Sequence, residues 1–229
     1  MKIKYFIPNI ITSGNLLCGT FAIVYASRGD LILASMFIGI AAILDFLDGF
    51  TARMLQATSE FGKQMDSLAD VITFGVAPAI VFYNLAELRG EHWYNFLAML
   101  IALFAALRLA KFNIDDSQKD EFRGVPTPAI AILVAALPFI LENDNLNLEP
   151  LIESKAFIIL FPILTASLMV SRIRLFSLKI KNFKFSENKL VFIFLMLSIA
   201  LIALFQFTGI ALIICAYIVF SLIRNIAVK

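Results

Sequence analysis

The sequence predicts an all-α polytopic membrane protein, a bundle of about eight transmembrane helices. Composition is the first reason: 61% of the 229 residues are apolar and only 16% are charged. An average soluble domain is about 45–50% apolar and about 25% charged. The second reason is a mean hydropathy of +0.90 in a chain of 25.5 kDa. A soluble domain of that size must keep a large surface wet and could not hide so much apolar side chain, so a soluble globule and a disordered chain are both excluded. The third reason is that the apolar residues run continuously and do not alternate with period two, which selects helices over a β-barrel.

Stretches of about 17–25 apolar residues fall at roughly 10–27, 31–50, 67–86, 94–110, 127–141, 156–171, 190–206 and 208–225. The first follows Lys2 and Lys4 in the manner of a signal peptide, and Leu16-Leu17-Cys18-Gly19 hints at a lipoprotein cleavage site. Leu17 is bulky where a small residue is needed, and Asn9, Thr12 and Asn15 interrupt the run, so this segment reads as a retained span. The fifth stretch is short. The last two are separated only by Phe207-Thr208-Gly209, which requires a tight turn at Gly209. No linker, repeat or low-complexity segment divides the chain, and residues 1–229 read as one domain.

Charge placement tests this parse independently. With eight spans, all but three of the 19 Lys and Arg residues fall on one side of the membrane, the exceptions being Arg28, Arg89 and Lys155. The positive-inside rule then puts both termini in the cytoplasm. The opposite loops carry Asp30, Glu87, Glu91, Glu142, Asp144, Glu149 and Glu153; there Arg89, Glu91 and His92 read as part of a solvated loop. Six or seven spans would spoil the segregation. A net charge of +2 argues against a nucleic-acid partner. His92 is the only histidine, and Cys18 and Cys215 lie in apolar stretches, so neither a Cys/His zinc site nor a disulfide framework is expected.

The chemistry concentrates between Asp45 and Asp70. The segment reads Asp45-x-x-Asp48-Gly49-x-x-Ala52-Arg53, then eight residues, then Gly62-x-x-x-Asp66-x-x-x-Asp70. Spacings of three and four put each pair of carboxylates on one helix face. The second and third spans are antiparallel neighbours, so all four can converge at the cytoplasmic boundary. An acid at mid-bilayer costs roughly 2.5–3.5 kcal/mol, and four together repel one another. Divalent cations remove that difficulty, and an all-oxygen site suits magnesium or manganese, where zinc would want His or Cys. Two ions clamped by four carboxylates suit displacement at phosphorus. Gly49 and Ala52 keep the helix face low for a base or phosphate, and Arg53 offers a fork-shaped cation. The plainer reading, solvated carboxylates paired with Arg53 and Lys63, fails at Asp45, which lies in an apolar run with no adjacent cation.

Asp45 to Asp70 resembles in full the signature of the CDP-alcohol phosphotransferases, integral membrane enzymes that make phospholipid head-group linkages. The resemblance implies a centre of two divalent cations, Mg²⁺ or Mn²⁺, on Asp45, Asp48, Asp66 and Asp70, with Asp70 doubling as general base. It implies a cytidine-nucleotide pocket shaped by Asn9, Thr12, Asp48, Gly49, Ala52, Arg53, Gly62 and Asp66. It also implies a homodimer in a prokaryotic inner membrane, with the active site on the cytoplasmic side.

Three further stretches resemble the branch of the family that uses serine: residues 7–19 with Asn15-Leu16-x-x-Gly19, residues 108–113 with 122–128, and Leu168-Met169-Val170-Ser171. They place a catalytic core at about residues 7–185, with residues 190–225 as additional spans. They imply CDP-diacylglycerol and L-serine as substrates. Serine brings a carboxylate and an ammonium group, and Arg108, Lys111, Asn113 and Arg123 are candidates to hold them. Lys111 stands where Arg is commoner, and Lys cannot replace a bidentate Arg contact; Val125 stands where Leu is commoner. Lys179, Lys181 and Lys184 read as an anionic-lipid contact. Glycerol 3-phosphate or inositol phosphate as acceptor, and an archaeal-type isoprenoid donor, stay open on composition. A cation-coupled transporter would use acids on more spans, whereas spans five to eight contain none.

Overall fold

A computed structural model describes residues 3–114, 124–143, 146–171, 173 and 189–227. Every regular element among them is helical: α1 (Phe6–Ser27), α2 (Leu31–Met54), α3 (Glu60–Asp70), a π-helical segment (Val71–Val76), α4 (Ala77–Glu87), a 3₁₀ stretch (Trp93–Ala98) leading into α5 (Met99–Ile114), α6 (Thr127–Glu142), the single turn α7 (Glu149–Ile152), α8 (Lys155–Val170) and α9 (Lys189–Ala227). Among the described residues, five stretches are long and apolar enough to cross a membrane: Phe6–Ser27, Leu31–Met54, Glu60–Glu87, Trp93–Ile114 and Phe192–Ile223. The all-helical membrane architecture is as expected from composition. The individual boundaries depart from it in three places.

The third stretch starts at Glu60, not near residue 67. Its first turns are amphipathic, with exposed Lys63 and Gln64, so a search for apolar runs passes over them. The Ser59 hydroxyl starts the helix by accepting the Gly62 amide at 3.0 Å. Helices α6 and α8 have 16 residues each, about 24 Å at the usual rise, and are shorter than these five stretches. The last element is continuous in hydrogen bonding but breaks at Gln206 (φ 50°, ψ −119°) and not at Gly209. In a straight helix Phe194 and Tyr217 would lie about 34 Å apart, yet their rings meet at 5.8 Å. The element is therefore a hairpin. Gly209 serves close packing: a Cβ there would collide with the backbone of Leu201.

The helix ends sort to two poles. At one, Lys4 Nζ donates to the Gln56 carbonyl at 3.3 Å, the Asn113 amide reaches Ser67 at 2.8 Å, and the Val125 amide reaches the Leu168 carbonyl at 3.1 Å. At the other, Asp30 caps α2 by accepting the Leu33 amide at 3.0 Å. There Arg89, expected in a solvated loop, pairs with Glu153. Between the poles, α1 and α2 pack on each other with small residues buried on both, Ala22 and Ala26 on α1 and Ala34 and Ala41 on α2, which lets backbones approach where no water exists to drive association. Phe82 stacks on Phe161 at 5.0 Å to centre the core, whereas Phe46, Met54, Phe61, Leu68, Met196 and Leu204 face outward. Cys18 and Cys215 are free thiols.

Between α2 and α3 the chain turns through a Schellman motif: the Ala57 amide donates to the Ala52 carbonyl at 2.9 Å and the Gln56 amide to the Arg53 carbonyl at 3.2 Å. Gln56 holds φ 47° at the position glycine usually takes. A left-handed non-glycine residue costs roughly 1–2 kcal/mol. Gln56→Gly is therefore expected to raise the stability of the detergent-solubilised protein by about 1 kcal/mol. A lower melting temperature in that variant would mean that the Gln56 side chain outweighs its backbone strain.

Candidate active site

One hydrogen bond sets the register of the site. The Thr12 hydroxyl donates to Asp48 Oδ2 at 2.6 Å across the α1–α2 interface; the Pro8 carbonyl, 3.0 Å away, is the weaker alternative acceptor. The helices are antiparallel, so one turn further along α1 meets one turn back along α2. The buried face of α2 runs Ala34, Ile38, Ala41 and Asp48, with half-buried Asp45 between the last two. Helix α3 brings Asp66 and Asp70 against the same corner. Oxygens of Asp45, Asp48 and Asp66 all lie within 4.8 Å of one another, and the carboxyls of Asp45 and Asp70 come within hydrogen-bonding reach. Asp48 is 5% and Asp70 9% exposed.

Several buried polar atoms here have no protein partner: Asp66 Oδ1, Asp70 Oδ1 and Arg108 Nε. Arg108, on α5, lies close enough to Asp70 to interact with it electrostatically. Buried polar atoms are ordinarily bonded, so unsatisfied carboxylate oxygens gathered at one point fit hard divalent cations, for which an all-oxygen donor set is suited. Zinc has no His or Cys to bind here.

The nucleotide candidates flank this corner. Asn9 Oδ1 lies where a Cβ on Gly62 would come within 3.1 Å of it, so the glycine makes room for the asparagine. Arg53 is exposed and lies back along its own helix, Nη1 being 3.5 Å from where a Gly49 Cβ would stand. Ala52 is half-buried just above the Schellman turn. The serine candidates divide. Arg108 lies within electrostatic range of Asp70, Asn113 is tied to Ser67 at 2.8 Å, and Lys111 is exposed at the end of α5. Arg123 and Lys179, Lys181 and Lys184 lie outside the described residues.

Sequence reasoning missed the π-helical segment that follows Asp70 directly. Such segments insert a residue into the helical ladder and often mark functional sites. Thr73, inside it, donates to the Asn15 carbonyl at 3.3 Å, and the close approach depends on Gly19, where any Cβ would collide with Thr73. Sequence reasoning also assigned no role to Asn15, which is fully buried, or to Thr127, buried at the start of α6. Both fall in stretches that resemble the serine-using branch, Asn15-Leu16-x-x-Gly19 and residues 122–128, but that resemblance gave neither residue a role.

Residues 5–171 match the model of the CDP-alcohol phosphatidyltransferase family. The chain belongs to this family. Over 228 residues it is 35% identical to the CDP-diacylglycerol–serine O-phosphatidyltransferase of Helicobacter pylori, covering 96% of this chain and 91% of that one. It is 38% identical over 134 residues to the protein of the same name from Bacillus subtilis, covering 58% of this chain and 76% of the relative. It is 37% identical over 140 residues to the archaetidylserine synthase of Methanothermobacter thermautotrophicus, covering 59% of each. Family membership sets the transporter reading aside.

Among the described residues Thr12 is the hydroxyl that donates to the cluster, and a hydrogen bond to a charged group contributes about 1.5–3 kcal/mol. Thr12→Val should lower stability by about that amount, and Thr12→Ser should restore most of it. Thermal melting of the two variants side by side checks this, and equal melting temperatures would remove Thr12 from the site's support.

Proposed function

We propose that this protein transfers the phosphatidyl group of CDP-diacylglycerol to the hydroxyl of L-serine, giving phosphatidylserine and CMP. The observation that carries the reading is the convergence of Asp45, Asp48, Asp66 and Asp70 beside Arg108. The Helicobacter relative, matched along nearly its whole length, supports serine as the acceptor.

The residues divide the work as follows. Asp45, Asp48, Asp66 and Asp70 would hold two divalent cations, Mg²⁺ or Mn²⁺. When bound, these supply positive charge to the diphosphate and stabilise the charge that develops on phosphorus and on the leaving CMP. Asn9, Thr12, Gly49, Ala52, Arg53 and Gly62 form the nucleotide pocket: the glycines leave the helix surfaces low, and Arg53 offers a planar fork to phosphate oxygens. Arg108 and Asn113, with Lys111 and Arg123, receive serine. Asp70 takes the proton from the serine hydroxyl as the new O–P bond forms and the bond to CMP breaks. A serine hydroxyl is a poor nucleophile at neutral pH, so this base contributes roughly 10²–10⁴-fold.

The protein works as a single domain of eight crossings, with core 7–185 and a terminal hairpin. Both termini and the active site are at the cytoplasmic face of a prokaryotic inner membrane, and the chain pairs as a homodimer. The two-pole arrangement of helix ends, the hairpin at Gln206 and the placement of basic residues support this topology. The archaeal relative favours one second reading, the same transfer from a donor with isoprenoid tails.

Purified protein given CDP-diacylglycerol, labelled serine and Mn²⁺ or Mg²⁺ should release CMP and form phosphatidylserine, and a chelator should abolish both. Glycerol 3-phosphate and inositol phosphate should give no product. Absence of CMP under every metal condition would sink the proposal. Asp70→Asn should lower kcat by roughly 10²–10⁴-fold while still binding the cytidine nucleotide; wild-type turnover there would remove the base role.

A further inference from the structure

We infer that Ser67 is a positioning residue for acceptor choice. It fixes the carboxamide of Asn113 so that the amide offers its oxygen, and not its nitrogen, to the incoming alcohol. That selects an alcohol carrying an ammonium group over one carrying a phosphate. The inference rests on the proposal above that Arg108 and Asn113 receive serine.

The hydrogen bonds of Ser67 carry it. Ser67 lies on α3 between Asp66 and Asp70. Its hydroxyl donates to the Lys63 carbonyl, one turn back, at 3.1 Å, a bond that serine readily makes inside a helix. A hydroxyl has one proton to give, so toward any other partner Ser67 is an acceptor. The Asn113 carboxamide meets it as a donor, Nδ2 to Oγ at 2.8 Å. Turned over, the amide would set Oδ1 against an oxygen whose proton is already committed. Hydrogen-bond partners decide which way an amide faces, and these leave Oδ1 as the atom Asn113 can offer to a ligand.

The contacts of α5 bring this amide beside the acids. Going along α5, Ala105 lies against Gly75, Arg108 interacts with Asp70 and Asn113 meets Ser67. The two stretches therefore run antiparallel, and the Asn113–Ser67 clasp comes about one turn beyond the Arg108–Asp70 contact. Both members of the clasp are half-buried. Arg108 supplies the complementary chemistry: its Nε is buried without a partner, and a guanidinium is a ready donor to a carboxylate. Serine brings a carboxylate for the donor and an ammonium group for the amide oxygen. A phosphate brings negative charge and acceptor oxygens, which that amide oxygen repels and an amide nitrogen would accept. Ser67 thus biases the choice of acceptor through Asn113, without touching the acceptor itself.

Steady-state kinetics on the purified, detergent-solubilised protein test this, with CDP-diacylglycerol and Mn²⁺ present. The KM for L-serine is compared with the inhibition constant of 3-hydroxypropionate, which is serine without its ammonium group. If wild type makes no product from serine, the acceptor reading itself fails before any variant is compared. Ser67→Ala should raise the KM for serine tenfold or more, with kcat within threefold and the 3-hydroxypropionate constant within twofold of wild type. A site built around a substrate N–H loses mainly the ligand that has one. Ser67→Thr, which keeps the hydroxyl, should return the KM to within threefold. In an Asn113→Leu background, Ser67→Ala should change the KM for serine no further, because Ser67 acts through Asn113. A serine KM within twofold of wild type in Ser67→Ala would overturn the inference. So would an equal weakening of both ligands, a fall in kcat together with the melting temperature (a structural serine), or a full further loss in the Asn113→Leu background.

Discussion

Everything in this fold answers to one constraint: four carboxylates have to be held against one another at a half-buried corner, where burial and like charge both oppose them. Burial keeps water from relaxing the charges, since Asp48 and Asp70 are each less than a tenth exposed. Their positions are fixed instead by the three helical stretches that carry or face them. The α1–α2 pair buries alanines on both helices, Ala22 and Ala26 with Ala34 and Ala41, and Thr12 locks its register to Asp48. A slip of one turn in that interface would carry Asp45 and Asp48 past their partners on α3. The small-residue seam is thus as much part of the site as the acids are.

The π-helical segment has the same origin. Asp70 ends α3, and the next six residues are wound with wider turns. This change of winding lets Asp70 face the acids of α2 while Thr73 turns toward Asn15 and Gly75 lets α5 come close beside Ala102 and Ala105. The approach of α5 brings Arg108 to Asp70. Without the extra winding, one helical face would have to serve α1, α2 and α5 together. The local loss of hydrogen-bond regularity is offset by contacts on three sides, with Thr73, Phe74 and Gly75 buried.

How much of this was legible in the sequence follows from which interactions are local. The aspartate pairs were legible because spacings of three and four act within one helix, whatever surrounds it. The bundle was legible because hydropathy is additive along the chain. The start of α3 was not, because Lys63 and Gln64 lie on an exposed face and break the apolar run without breaking the helix. Nor was the bend at Gln206: a residue forced to positive φ carries no mark of its own, and the nearby Gly209 attracts the assignment although its task is to meet Leu201. Asn15 read as an interruption of a span and as part of the Asn15-Leu16-x-x-Gly19 stretch, whereas its full burial and its carbonyl's bond to Thr73 depend on packing between distant segments.

The same division explains why the acceptor is easier to argue from this chain than the donor's tails. The head-group chemistry would meet charged and polar side chains gathered at one corner, Asp45, Asp48, Asp66 and Asp70 among them. The tails would meet Phe46, Phe61, Leu68 and similar outward residues, whose only shared property is being apolar. Lipid-facing positions of that kind do not distinguish an acyl chain from an isoprenoid one by hydrogen bond or charge. Relatives named for diacylglycerol and for archaetidyl donors accordingly stand at similar identity to this chain, 38% and 37%. What the fold can specify is the polar corner, and the membrane in which the protein sits decides which tails reach it.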